Sequence, residues 1–314
     1  MAKRFLLGKK RGANVMIHEY AIAPSVLASW ANNTRDYREF LREYGLGSPR
    51  IISSFPKAKA SKLRGYLLGF GPQDQESIQG KRYLEMVSFL VETLVERVAP
   101  ENSSDSWEQM VTSEHENRPF NVIIADPKLE LSECISPSGM YDQGSCWSHQ
   151  RQASIQRQVT PAACLLKNFL RFSTKQIVFI DPYGWTSSAC STFSALLKEV
   201  AQDRVCSKVP QVTLYYKESN SSATPASVKQ QILEGIDIEG LKLQVLELKE
   251  TSDDDVFHNR CVLTEHGGAF SGHGFGLSGE PTHTDDWFLL GREIYEKKWE
   301  QFVDDCRFEI GTQS

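Results

Sequence analysis

Residues 256–276 read VFHNRCVLTEHGGAFSGHGFG, and the order of histidine, cation, acid and glycines in that stretch decides how the rest of the chain is read. His258 and Arg260 stand two apart, a spacing that turns both side chains to one face of a strand. Gly267-Gly268 is expected to make the turn of a β-hairpin, whose second strand runs into Gly272, Gly274 and Gly276. Such an arrangement suits a bound phosphate. A His-x-Arg pair alone is common on ordinary strands, so its weight comes from the sequence around it.

That surrounding sequence alternates between strand and helix signals. IVFIDPY (177–183) is an apolar run closed by Asp-Pro, the mark of a buried strand ending in a turn. Ala189, Phe193, Leu196, Leu197 and Val200 recur at helical spacing over 187–201, with serines available as caps. QVTLYYK (211–217) is β-branched and aromatic, a helix is expected over 225–233 with Pro225 in its first turn, and LKLQVLELK (241–249) alternates as a half-exposed strand does. Residues 287–303 read as a terminal helix-like segment. Strands alternating with helices predict an α/β domain over 166–314 with a mixed, mostly parallel sheet and flanking helices.

The first half, 1–165, reads as an α-rich region. Trp30, Tyr37, Phe40, Leu41 and Tyr44 mark an amphipathic helical surface within 17–45, ended by Gly45 and Gly47. A second helix is expected over 81–98, stopped before Pro100, with a loop over 68–80. PFNVIIADP (119–127) repeats the apolar-run-then-Asp-Pro pattern and predicts a strand, and 129–160 reads as an extended excursion.

The motif resembles that of the phospholipase D superfamily, H-x-K-x4-D-x6-G-S-x2-N. His258, Arg260, Glu265 and Gly272 fall at the matching spacings. Arg260 stands for the lysine, Glu265 for the aspartate, His273 for the serine and Gly276 for the asparagine. The resemblance implies a histidine nucleophile at His258, with Arg260, Gly272, His273 and Gly274 around the phosphate and Glu265 orienting or buffering a histidine. The H-x-R and G-x-G variant is similar to non-catalytic phospholipase-D-like domains found behind MIT domains, which implies recognition without chemistry. H-E-Y-A-I-x-P (18–24), R-I-I-S-x-F-P-K (50–57) and H-E-N-R-P-F-x-V-I-I-A (115–125) also resemble bacterial proteins with a phospholipase-D-like C-terminus, of a kind found in phage-defence gene clusters. A complete superfamily site takes two motifs, and this chain has one. The pair His149-x-Arg151 fails because Gln156 stands at the acid position, so an enzyme reading implies a homodimer with its site on the twofold axis.

Composition narrows the partners. With 40% hydrophobic and 24% charged residues the chain has the make-up of an ordinary globular protein, and a net charge of −5 argues against coating a long nucleic acid. Two basic clusters, Lys3, Arg4, Lys9, Lys10, Arg11 and Lys57, Lys59, Lys62, Arg64, read first as solvated surface. No apolar run approaches the roughly 20 residues of a membrane span, and a cytoplasmic location is expected. The seven cysteines lack C-x-x-C spacing, so reduced thiols, no metal and no cofactor are expected. Cys146 and His149 would touch only if they shared a helix.

Three functions compete at this level. One is a binding subunit, of a multi-protein antiviral system if the resemblance is followed, that holds a phosphate of a nucleic acid or another phosphodiester. The second is a metal-independent phosphodiesterase or nuclease working as a homodimer. The third is a protein-interaction scaffold, in which Arg260 pairs with Glu265 or another carboxylate across the sheet.

Overall fold

The computed structural model describes residues 15–100, 105–141, 144, 146–219, 223–250, 257–306 and 308–314. The basic cluster Lys3 to Arg11 lies outside the described residues. Two sheets with helices on their faces give the α/β architecture that the second half of the sequence announces.

The first half is helical as expected, but its helices flank a five-stranded sheet. In chain order it runs β1 (His18–Ile22), α1 (Pro24–Asn32), α2 (Thr34–Glu43), β2 (Arg50–Ser53), α3 (Ala60–Leu68), α4 (Ile78–Glu92), β3 (Leu94–Val95), α5 (Trp107–Asn117), β4 (Val122–Ile124) and β5 (Cys134–Ile135). The strand order is β3-β2-β1-β4-β5, every neighbouring pair parallel. The helical surface read over 17–45 is therefore one strand and two helices. Pro24 starts α1, where its missing N–H costs nothing. Asn33 ends that helix and caps the next, its side chain accepting from the Arg35 and Asp36 amides. Gly45 and Gly47 follow with φ of 85° and 77°, a left-handed turn that favours glycine.

The second sheet begins earlier than residue 166. Residues assigned by sequence to an excursion form β6 (Gln152–Gln156), followed by α6 (Val159–Phe172), β7 (Gln176–Ile180), α7 (Ser187–Ala201), β8 (Gln211–Lys217), α8 (Pro225–Leu233) and β9 (Lys242–Lys249). Then come β10 (Cys261–Thr264), β11 (Gly267–Ser271), β12 (Thr284–Leu289), α9 (Arg292–Trp299) and β13 (Glu309–Gln313). The order is β13-β9-β8-β7-β10-β11-β12-β6. The strands β7, β8 and β9 are parallel, and the other neighbours are antiparallel. Trp287, read as helical, lies in β12 and is buried. Glu265 and His266 make the hairpin turn, because Thr264 already pairs with Gly267. Gly268 is required within the strand: a Cβ there would meet the Val262 carbonyl oxygen at 2.7 Å.

The two sheets share α6. Ile17, Ile51 and Val95 of the first half join Leu165, Leu166, Phe169, Phe179, Phe193 and Val212 in one buried cluster. Ala162, Ala163, Leu165, Leu166, Phe169, Leu170 and Phe172 are all buried, a helix apolar on nearly every side as an internal helix must be. Its one buried amide, Asn168, donates to the Ile17 carbonyl at 2.7 Å and so ties the helix to the chain entering β1. The other face of the second sheet packs Val178, Ile180, Leu246, Cys261 and Leu263 against Tyr295, Phe302 and Phe308.

Candidate phosphate-recognition site

Register alone brings the motif to the C-terminal ends of the parallel strands, where open α/β sheets hold ligands. Cys261 lies opposite Ile180, so Arg260 arrives beside Asp181 at the end of β7. The Ser271 amide donates to the Arg260 carbonyl at 2.8 Å, which sets the glycine loop against the same strand end. The helix α7 starts at Ser187 on this side, capped by Thr186, and its N-terminal partial charge favours an anion there.

The loop amides are already engaged. Gly272 N–H donates to the Asp286 carbonyl at 3.0 Å, and His273 N–H to Asp285 Oδ1 at 2.8 Å. Gly274 N–H donates to Ser271 Oγ, whose own hydroxyl donates to Asp285 Oδ2, and Phe275 N–H donates to Asp181 Oδ2 at 2.8 Å. Two buried carboxylates of the chain thus take loop amides: Asp285 holds that of His273, which the sequence reading gave to a phosphate, and Asp181 holds that of neighbouring Phe275. Gly274, at φ 99°, closes the arrangement, since a Cβ on it would stand 2.6 Å from Asp181 Oδ2 and 2.8 Å from Arg260 Cδ.

Side chains remain as the open donors. Arg260 Nη1 donates weakly to the Gly272 carbonyl at 3.3 Å, its Nε is buried without a partner, and it forms no ion pair within 4 Å among the described residues. Its guanidinium lies over the Tyr183 ring at 5.7 Å. His258 is exposed and has no hydrogen-bond partner among the described residues. Its charge, when present, acts on Glu250, which is already paired with Lys217 at 2.8 Å. His273 is exposed at the loop tip. Partial burial and the Arg157 charge hold it below the ordinary histidine range, with Arg260 adding to this and Asp285 opposing it. Asp181 is shifted up by burial, against the amides of Phe275 and Tyr183 and the charge of Arg260.

Glu265 stands apart from this group. It sits at the far end of β10, where its carboxylate accepts from Thr174 N–H at 2.6 Å and Lys175 N–H at 2.9 Å. Burial raises its pKa, but His266 and those amides outweigh burial and hold it below the usual range. It fastens the hairpin turn to the start of β7, and it does not pair with Arg260.

No family model and no curated protein matches the chain. Among solved structures, the archaeal chromatin protein TrmBL2, described as showing a novel mode of DNA binding, aligns at 12% identity over 52% of this chain and 55% of its own, with a TM-score of 0.30. The polyphosphate kinase from Porphyromonas gingivalis aligns at 13% identity over 50% of this chain and 25% of its own, with a TM-score of 0.31. Likenesses of this size establish neither family nor activity.

The first sheet carries no counterpart of the motif hairpin among the described residues, since both neighbours of β1 run parallel to it. His149 and Arg151 lie elsewhere, at the N-terminal ends of β1 and β2, and Cys146 shares no helix with His149. The His149 ring stacks on His18 at 3.5 Å with 6° between planes. Tyr20 donates its only hydroxyl proton to the Cys146 carbonyl at 2.8 Å and therefore accepts from His149 Nε2–H at 2.7 Å. Arg50 lies 3.8 Å over Trp147 beside them. Burial, with Arg50 near both, pushes His18 down to about 4 and His149 to about 2, so the pair is neutral and structural. Arg151 turns outward to the Gly47 carbonyl at 2.8 Å.

Arg157, His283 and Asp285, whose charges act on His273, escaped the sequence reading, as did Asp181 beside Gly274. Only Asp181 carried a local signal, the Asp-Pro that ends an apolar strand.

Proposed function

We propose that this chain recognises the phosphodiester of a nucleic acid through side chains and does not cleave it, serving as a binding subunit. The observation that carries the reading is the occupation of the glycine-loop amides by Asp181 and Asp285. A cleaving site needs preorganised donors free to meet charge as it develops on phosphate oxygens. Here the loop donors are spent on internal acceptors, two of them carboxylates, while Arg260, His258, His273 and Arg157 stand at or near an open strand end. Arginine suits this role because its planar fork meets phosphate oxygens two at a time. Among the described residues no helix is long and apolar enough to cross a membrane.

The test is binding and cleavage of a labelled 20-nucleotide DNA and its RNA equivalent in EDTA, by the unaltered protein, Arg260→Ala and His258→Ala. Arg260→Ala is expected to weaken binding about 10- to 100-fold, the size of one or two charge-assisted contacts. His258→Ala is expected to weaken it less, with no cleavage by any protein. EDTA-resistant cleavage that disappears in His258→Ala would instead establish a phosphodiesterase, and with one motif per chain it would be a homodimer. Absence of binding to every oligonucleotide would overturn the reading in favour of a scaffold.

A further inference from the structure

Tyr183 is 55% exposed, the most open aromatic ring among the described residues, although the backbone beneath it is held tightly. Its amide donates to Asp181 Oδ1 at 2.9 Å, and its carbonyl accepts from Thr186 N–H at 3.0 Å. Lys217 N–H donates to the neighbouring Pro182 carbonyl at 3.3 Å. On the next residue, Gly184, a Cβ would press on the Asp181 carbonyl oxygen at 3.1 Å and Leu214 Cδ1 at 3.2 Å, so the turn is close-packed. The Tyr183 hydroxyl has no partner among the described residues. A ring more than half exposed, with its hydroxyl unpaired among the described residues, contributes little to the fold from so rigid a turn, and its position at the strand end beside Arg260 gives it a different use.

Resting on the phosphodiester reading above, we infer that the ligand is single-stranded nucleic acid, with one base stacked on Tyr183 while Arg260 holds the adjoining phosphate. The 5.7 Å between guanidinium and ring places cation and platform within the span of one nucleotide. Stacking demands a base whose face is free, which a single strand presents and a duplex does not. It is also indifferent to sequence, since every base has a flat face. The rigid turn keeps the ring in place before the ligand arrives, which limits the ordering cost on binding.

Four ligands of equal length separate the parts: oligo-dT, oligo-U, a DNA duplex, and an abasic DNA strand that keeps every phosphate and lacks the bases. Anisotropy titrations would compare the unaltered protein with Tyr183→Ala, Tyr183→Phe and Arg260→Ala. Tyr183→Ala is expected to weaken oligo-dT and oligo-U about tenfold, the usual loss of one base-stacking ring, and to leave the abasic strand unchanged. Tyr183→Phe keeps the ring and is expected to bind like the unaltered protein, whereas Arg260→Ala weakens all four ligands. Equal loss of the abasic strand in Tyr183→Ala, or a duplex bound as tightly as oligo-dT, would overturn the stacking role while leaving phosphate recognition intact. Undiminished binding of all four ligands by Arg260→Ala would remove the phosphate reading itself, and the inference with it.

Discussion

Replacing Arg97 with methionine is expected to lower the unfolding free energy by about 3–5 kcal/mol, the cost of leaving buried charges unpaired. Arg97 is fully buried and holds Glu19, also fully buried, through two bonds of 2.7 Å. Its Nη1 reaches Glu114 at 2.7 Å and the Arg118 carbonyl at 2.8 Å, and the Phe120 ring covers it at 3.8 Å. Methionine fills much of the volume but strands the Glu19 carboxylate away from water, whereas Glu114 keeps two bonds of 2.9 Å from Arg118. The single variant therefore suffers more than one in which Glu19 is neutralised as well. Urea unfolding of Arg97→Met beside the double variant Arg97→Met, Glu19→Gln would show the double recovering much of the loss. Equal midpoints for single and double variants would mean that packing, not stranded charge, sets the cost.

Acid is expected to unfold the protein through its stacked histidines. Both have folded-state pKa values below the ordinary 6.5, at about 4 for His18 and about 2 for His149. The unfolded chain takes up these protons as the pH falls through about 6.5, and the folded chain refuses them. The associated stability is whole above that pH and drains away below it, by at most about 1.4 kcal/mol per pH unit for each ring. Between pH 6.5 and 4 the two together become comparable with the whole stability of an ordinary domain, about 5–15 kcal/mol. Urea midpoints measured across that range should fall steeply for the unaltered protein. His149→Phe keeps a ring on His18 but has nothing to protonate, and it should roughly halve the slope; an unchanged slope would place the acid sensitivity in other groups.

The parts of the fold that could be read from sequence are those whose signals are local. β7, β8 and β9 announce themselves as apolar or alternating runs, and α8 begins at a Thr224 cap whose partner Ser227 lies three residues on. Of the first sheet only β4 was read, from PFNVIIADP; its other strands were hidden because they are short, two to five residues, and almost wholly buried, so no period separates them from helix. Glu19 shows the difficulty most clearly: a charge inside a strand argues against burial until Arg97, 78 residues later, is known to cover it. At the candidate site, Arg260 reaches the carbonyl of Gly272, the residue before His273, and its charge acts on that histidine. Glu265 went elsewhere, because an acid five residues beyond Arg260 is carried to the opposite end of a four-residue strand. Arg157 and Asp285 enter from two other strands, and only sheet pairing brings them near.

Helix α6 has its buried side chains in a core that belongs to both sheets, so neither half owns the surface that would have to close if it stood alone. Cutting the chain near residue 150 would expose Ile17, Ile51 and Val95 on one fragment and the matching side of α6 on the other. The two sheets are therefore expected to unfold as a single cooperative unit. A heat scan should record one transition sized to the whole chain, and strain imposed on the strand end by a ligand would be felt in the half that touches no ligand.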